Sequence, residues 1–274
     1  ICLSWHPSFF NMMDTMTNLA MNSASFCFYG KSAHAAADPQ NGRSALDAVE
    51  LMNIGANYLR EHIIPDARIH YVITNGGEAP NVVPDQAEVW YFVRAPKRHQ
   101  VENIYERLLD VGNGAALMTG TKMECKFKSA TYNIQYNSVV QDIMHSNLKS
   151  VGPPNFDEND VTFAKELRKT LPEDTMEGYL RFVPDNLLKI AKAVTSQPLN
   201  KVIIPPIGEG QITPGSTDVS DVSWVVPLGE FNVACEVMGS PGHSWQNVAT
   251  SGMNIGHKGM LTAAKILAST AVDF

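Results

Sequence analysis

Residues 68–95 read RIHYVITNGGEAPNVVPDQAEVWYFVRA, and this stretch decides the fold. Ile69, Tyr71 and Ile73 alternate along one side of its first segment, and Ala87, Val89, Tyr91 and Val93 along one side of its second. A period of two marks a half-buried strand. Asn75-Gly76-Gly77 supplies turn residues between the two strands, and Ala95-Pro96 stops the second. On the N-terminal side, Ala45, Val49, Met52, Ala56, Leu59 and Ile63 recur at three- and four-residue steps. That stripe predicts a helix from Arg43 to Ile63, closed by Pro65. Ser23 to Tyr29 alternates before it as a strand and ends at Gly30. On the C-terminal side, Val101, Ile104, Tyr105, Leu108 and Leu109 stripe a helix from Gln100 to about Met118, and Lys122 to Ala130 returns as a strand. The order from Asn22 to Thr131 is β-α-β-β-α-β. It predicts a four-stranded antiparallel sheet with two helices on one face, the ferredoxin-like topology.

The flanks differ in character. Helices are expected over 138–149, 160–169 and 184–194, with Asp157 or Asn159 as N-cap of the second. Residues 196–228 are rich in Pro, Gly, Ser and Thr and read as a long loop with a strand or two. Phe231 to Met238 reads as a strand, and Lys258 to Ala271 as a terminal helix. The chain opens on Ile-Cys-Leu-Ser-Trp-His-Pro, the end of a buried strand entered mid-element, so it is expected to be cut within a domain. The domain reading is therefore 1–21 and 135–274 as parts of one α/β domain, with 22–134 inserted.

Composition excludes several classes. The 274 residues are 44% hydrophobic and 18% charged, and 21 Lys and Arg against 28 Asp and Glu give a net charge of −7. A nucleic-acid binder carries a basic face, which this balance disfavours. No apolar run approaches the roughly 20 residues that span a bilayer. Cys2, Cys27, Cys125 and Cys235 have neither pairing nor metal-ligand spacing. They are expected to be free thiols of a reducing, cytoplasmic compartment.

Five segments carry chemistry-bearing residues: Trp5-His6-Pro7, Gly30-Lys31-Ser32-Ala33-His34-Ala35-Ala36, Asn81-Val82-Val83-Pro84-Asp85 with Arg94, Gly242-His243-Ser244-Trp245, and the loop from Pro214 to Asp221. Taken singly they are weak. A lone His at a strand end, such as His6, is more often structural than catalytic. His34 and His243 fit an exposed loop residue as well as a functional one. Arg94 suits bidentate carboxylate recognition but by itself is more often a solvated strand residue. Asp218 and Asp221 form turns as readily as sites. No H-E-x-x-H, P-loop, G-x-G-x-x-G or G-x-S-x-G pattern is present.

The combination is stronger. G-K-S-A-H-A-A at 30–36, G-R-S-A-L-D-A-V-E-L at 42–51, and N-V-V-P-D-Q-A-E at 81–88 followed by Arg94 resemble an inserted dimerisation domain. Its family is the co-catalytic metallopeptidases comprising aminoacylases, glutamate carboxypeptidases and auxin-conjugate amidohydrolases. Trp5-His6-Pro7, G-S-T-D-V-S-D-V-S-W at 215–224 and His243-Ser244-Trp245-Gln246 extend the resemblance along essentially the whole chain.

The resemblance implies the C-terminal portion of a zinc-peptidase-like α/β catalytic domain with an inserted ferredoxin-like dimerisation and lid domain. The implied activity is hydrolysis of the amide in N-acyl or aryl amino-acid conjugates of the p-aminobenzoyl-glutamate kind, or in dipeptides. His6 and His243 match two ligands of a paired zinc or manganese site. The other ligands and the general-base Glu would lie upstream of Ile1, so a chain with this partial set is expected not to retain the metals. His34 matches the lid histidine that reaches into the partner subunit's active site to stabilise an oxyanion. Asn81 matches its companion at the substrate, and Arg94 the residue that binds the substrate carboxylate. Gly215, Ser216 and Asp218 match a loop bordering the pocket. The implied assembly is a homodimer, or a heterodimer with a related subunit, through the lid, taking a small-molecule substrate and neither nucleic acid nor membrane. The alternative is a catalytically dead, truncated homologue that acts only as a dimerising module.

Overall fold

In the computed structural model, which describes residues 1–172, 174–180, 183 and 185–274, the two strands of the 68–95 stretch pair antiparallel. Ile69 stands opposite Val93 and Tyr71 opposite Tyr91. In chain order the elements begin with β1 (Cys2–Ser8), β2 (Met12–Met13), β3 (Ala20–Tyr29), α1 (Ala45–Leu59), β4 (Arg68–Asn75), β5 (Gln86–Ala95), α2 (Arg98–Thr119) and β6 (Lys122–Thr131). They continue with α3 (Ser138–Val151), α4 (Glu158–Arg168), α5 (Glu177–Leu180), α6 (Leu188–Thr195), α7 (Val219–Ser223), β7 (Leu228–Ala234), α8 (Trp245–Ser251) and α9 (Asn254–Val272). Backbone contacts divide the chain into two units: residues 18–134 with 212–221, and residues 1–17, 135–211 and 222–274.

The first of these, the inserted unit, has the ferredoxin-like topology. Its sheet runs β4-β5-β3-β6, antiparallel throughout. Phe26, Phe28, Val89 and Tyr91 project from one face against Val49 and Met52 of α1 and Val101 and Leu108 of α2, all buried. Truncating one such aromatic to Ala costs about 3–5 kcal/mol. Ser44 starts α1 by accepting the Asp47 amide on its hydroxyl. The predicted helix to Ile63 tightens into a 3-10 turn over Arg60–His62 before Pro65, which cannot donate to a continuing helix. The opposite face carries Ser23, Ser25, Trp90, Phe92 and Arg94, since residues two apart share a face.

The other unit is built on a three-stranded sheet, β1-β7-β2, with β1 parallel and β2 antiparallel to β7. Phe231 and Val233 face Val140, Met144 and Leu148 of α3 and Ala263 and Ile266 of α9. The expected strand over Phe231–Met238 is displaced. It begins at Leu228 and stops at Ala234, because the amides of Cys235 and Glu236 both turn to the Ser8 carbonyl. Residues 196–227 hold no strand among the described residues; the Ile204 amide, for example, bonds the Asn11 carbonyl. The Asp157 cap starts α4 at Glu158, and α6 begins at Leu188. Position 184, the expected start of that helix, lies outside the described residues. All four cysteines are free, and no helix among the described residues is long and apolar enough to cross a membrane.

The second face of this sheet is polar. Glu230 is buried, and it accepts hydrogen bonds from Ser4 Oγ at 3.1 Å and Tyr136 Oη at 3.0 Å. Asp14 lies beside it. Burial, and then the Glu230 charge, push the Asp14 carboxyl up to about 6. A folded-state pKa above the unfolded value means the folded chain holds the proton more tightly. The stability gained is present in full below about pH 4 and is lost as the pH rises through 6. Asp14→Asn removes that loss. Its unfolding free energy at pH 8 should exceed the parent's by on the order of 2 kcal/mol, with the gap closing towards pH 4 in denaturant titrations. A variant weaker than the parent at pH 8 would contradict this.

Candidate functional site

The polar groups of the inserted unit gather at the two ends of β3. At its C-terminal end the chain leaves Tyr29 through Gly30, where a Cβ would collide with the Arg43 carbonyl. Lys31 and Arg43 then exchange both backbone hydrogen bonds, at 2.8 and 2.9 Å. The Ala35 amide donates to the Asn81 carbonyl at 2.9 Å, and the Val83 amide to the Ala33 carbonyl at 2.9 Å. His34 and Asn81 are thus held on adjacent, mutually paired segments, both exposed. His34 Nδ1 accepts the amides of Ala36 and Ala37, at 3.2 and 3.1 Å. An accepting Nδ1 carries no proton, so the neutral ring carries its hydrogen on Nε2 and presents it outward as a donor.

Arg94 lies at the other end, on β5 opposite Met21 and Arg68. Its Nη1 reaches the Pro214 carbonyl at 3.4 Å, and its guanidinium lies 5.5 Å from the Phe92 ring centre. Its Nε is buried without a partner, and burial holds its pKa below the usual guanidinium range. Residues 212–221 are tied down around it. The Leu19 amide donates to the Gly215 carbonyl at 2.8 Å, and the Tyr132 amide to Asp221 Oδ1 at 2.8 Å. Ser216 Oγ is also buried without a partner, whereas Asp218 is exposed. Arg94, Gly215 and Ser216 therefore share one end of the sheet. From Met21 to Tyr29, β3 spans roughly 26 Å at about 3.3 Å per residue. His34 and Arg94 of one chain stand apart by that order of distance.

In the other unit, His6 is exposed on β1 opposite Asn232. Its Nδ1 meets the Pro7 carbonyl at 2.7 Å. A carbonyl only accepts, so Nδ1 is the protonated nitrogen and Nε2 keeps a free lone pair. Glu236, which no motif in the sequence singles out, is buried. Burial raises its pKa, against a hydrogen bond from Asn247 and the charge of His6. His243 has φ +58°, and among the described residues no other non-glycine has positive φ. Such a conformation costs on the order of 1–3 kcal/mol and persists where the surroundings over-determine it. Ser244 next to it donates to the Pro241 carbonyl at 2.6 Å and caps α8 by accepting the Asn247 amide at 3.3 Å. Structural metal sites take about four protein donors and catalytic ones about three. Among the described residues no group of three or more His, Cys, Asp or Glu converges in that way. His6 and His243 alone do not make a metal centre.

A ferredoxin-like lid with a clipped histidine loop, inserted into an α/β unit, defines a class. Residues 19–115 match the peptidase dimerisation domain family, and the chain is similar along nearly its whole length to an amidohydrolase and a dipeptidase. It is 41% identical over 276 residues to a subunit of the p-aminobenzoyl-glutamate hydrolase of Escherichia coli (strain K12), covering 99% of this chain and 57% of that protein. It is 28% identical over 270 residues to the Xaa-Arg dipeptidase of Mus musculus, covering 98% of this chain and 51% of that one. Among solved structures, an amidase of the hydantoinase/carbamoylase family from Burkholderia vietnamiensis shares the fold with a TM-score of 0.62 at 11% identity, over 99% of this chain and 53% of that one. The chain thus spans little more than half the length of the curated relatives it matches.

The His34 tautomer is directly observable. In protein labelled with ¹⁵N-histidine, at pH 8, its Nδ1 should resonate as an unprotonated nitrogen and its Nε2 as a protonated one. The reverse assignment would remove the outward donor.

Proposed function

We propose that the whole enzyme is a metal-dependent amidohydrolase. Its substrates are N-acyl or aryl amino-acid conjugates of the p-aminobenzoyl-glutamate kind, or dipeptides. The observation that carries this reading is the outward Nε2–H of His34, held by two main-chain donors on the other ring nitrogen. A fixed donor of this kind stabilises the oxyanion of a tetrahedral intermediate, and removing one commonly lowers kcat by about 10²–10³-fold. Asn81, on the paired segment, contacts the same substrate. Arg94 grips the carboxylate of the amino-acid half, for which a planar guanidinium is suited. Gly215, Ser216 and Asp218 border that pocket. The names of the relatives, a p-aminobenzoyl-glutamate hydrolase and an Xaa-Arg dipeptidase, agree with amide cleavage beside a free carboxylate.

Two divalent metal ions, zinc or manganese, would activate water and polarise the amide carbonyl. His6 and His243 are proposed as two of their ligands, and the free Nε2 lone pair of His6 suits that role. The separation of His34 from Arg94 favours sites built from two copies. Each site would draw Arg94 from one chain and His34 from its partner in a homodimer, or in a heterodimer with a related subunit. A second reading, a dimerising module without catalysis, is favoured by the match of residues 19–115 to a dimerisation domain.

Mixing decides whether the site is shared. In a polypeptide of the relatives' full length, His34→Ala and Arg94→Ala should each abolish most activity. Co-refolding the two variants should restore about a quarter of the parent's activity, because half the dimers are mixed and each has one intact site. No restoration would place His34 and Arg94 in the same chain's site or outside the reaction.

A further inference from the structure

The polar face of the β1-β7-β2 sheet gathers two carboxyls and a phenol around too few protons. Tyr136 Oη donates to Glu230 Oε2 at 3.0 Å, and Ser4 Oγ donates to Glu230 Oε1 at 3.1 Å. Tyr136 is also hydrogen-bonded to the Asp14 carboxyl, as is Asn232. A phenol has a single hydrogen to give, and its oxygen can accept. With that hydrogen given to Glu230, Tyr136 Oη meets Asp14 as an acceptor, so this bond needs a proton on Asp14. Protonated Asp14 then donates to Tyr136 and Tyr136 to Glu230, a directional chain whose members strengthen one another. With both carboxyls ionised, two anions compete for one hydrogen.

No cation relieves that competition. The charge that acts on Asp14 is that of Glu230, and the charges that act on Tyr136 are those of Asp14 and Glu230. Among the described residues no ion pair includes Asp14 or Glu230. His6 stands on the same face, opposite Asn232, but its charge acts on Glu236. From α3 the neighbour is the uncharged Gln141, whose Nε2 donates to the Asp14 carbonyl at 2.5 Å. Burial pushes the Tyr136 phenol far above its ordinary range, so it keeps its hydrogen, and Asp14 is the member that titrates.

The position of the three groups in the chain gives them a use. The chain passes into the inserted unit between Thr17 and Asn18 and returns between Ile134 and Gln135. Asp14 stands just before the first crossing, between β2 and β3, and Tyr136 just after the second, between β6 and α3. Both connectors are also tied to β7 through the main chain. The Asp14 amide donates to the Glu230 carbonyl at 3.1 Å and the Asn137 amide to the Leu228 carbonyl at 2.8 Å.

We propose that Asp14, Tyr136 and Glu230 form a proton-operated clasp: one shared proton fastens the outgoing and returning connectors to β7, and its release to water loosens both. The clasp is independent of the amide chemistry proposed above. A carboxyl whose folded-state pKa is raised holds its partners best while protonated, so the clasp is closed in mild acid and opens as the pH rises through 6.

Amide hydrogen exchange of the 274-residue chain, corrected for the intrinsic effect of pH, reads the clasp at the Asp14 and Asn137 amides. In the parent their opening should increase about tenfold from pH 5 to pH 8. At pH 8 both should open more readily than the β1-β7 ladder. In Asp14→Asn the side-chain amide donates to Tyr136 without titrating, so both connectors should keep the parent's pH 5 opening throughout. Tyr136→Phe keeps the ring without the relay and should raise the opening at pH 5 at least tenfold. Opening that is independent of pH in the parent, or that rises as much in Asp14→Asn, overturns the clasp. So does exchange at pH 8 no faster than that of the β1-β7 ladder, because the connectors would then open only with the whole unit. Parent-like opening of Tyr136→Phe at pH 5 overturns it too, since the hydroxyl would then join nothing. Asp14→Asn, the variant expected to gain stability, decides the matter even where Tyr136→Phe fails to fold.

Discussion

The antiparallel pairing of β3 with β5 decides what every other side chain of the inserted unit can do. Phe26 opposite Val89 and Phe28 opposite Ala87 commit one face to the helices, because all four are buried there. A slip of one residue would turn that entire set towards solvent. The same register commits the intervening residues to the open face. Arg94, Phe92 and Trp90 project from that face because Val93, Tyr91 and Val89 are needed in the core. The open face, and with it the candidate site, is in this sense a by-product of the packing face, and its position is as firmly held as the core itself.

Rigidity of that kind has a geometric consequence. A strand cannot bend its ends together, so groups at opposite ends of β3 remain separated by its length. His34 hangs from the loop after Tyr29, and Arg94 lies across from Met21. The loop with His34 is no looser than the sheet. Its backbone is paired with Arg43 on one side and with Asn81 and Val83 on the other. Under the proposed chemistry, a substrate with an amide and a nearby carboxylate is far smaller than this span. A second copy resolves this in the proposed assembly, and the domain family that residues 19–115 match is named for dimerisation.

Much of this unit is legible in the sequence, because its six elements are long and their periods clean. Ile69, Tyr71 and Ile73 can alternate only as a strand, and the Ala45–Leu59 stripe only as a helix. In the other unit the signal fails for a physical reason. Cys235, Val237 and Met238 are all buried, so their apolar run reads as a continuation of β7. Yet the chain has already turned to bond Ser8. Burial is legible there, but extension is not. The seven-residue α8 is too short to show a stripe, and residues 196–228 bond scattered backbone groups that leave no pattern. At the candidate site, the residue types His34, Arg94, His6 and His243 stand out in the sequence. The tautomer of His34 does not, because main-chain amides of two alanines fix it.

A fold chosen for stability alone would answer Arg68 and Arg94 with an acidic residue, and the chain has acid to offer, with 28 Asp and Glu against 21 Lys and Arg. On the same face further along the sheet it does so. Glu88 accepts hydrogen bonds from Ser25, Cys27 and Thr74, and these, with Lys128, keep its carboxyl below the usual range against its partial burial. One strand therefore carries two polar hubs built on opposite rules. At Glu88 every lone-pair direction that matters is filled from within the protein, and the hub can only stabilise the sheet. At Arg94 the guanidinium keeps one long bond and a buried Nε without an acceptor. Leaving such a group unpaired costs on the order of 1–3 kcal/mol, more when it is charged. A ligand anion that enters that end recovers this cost on binding. The contrast between the two hubs, set six residues apart on β5, leaves the Arg94 end with hydrogen-bonding capacity that no described residue fills.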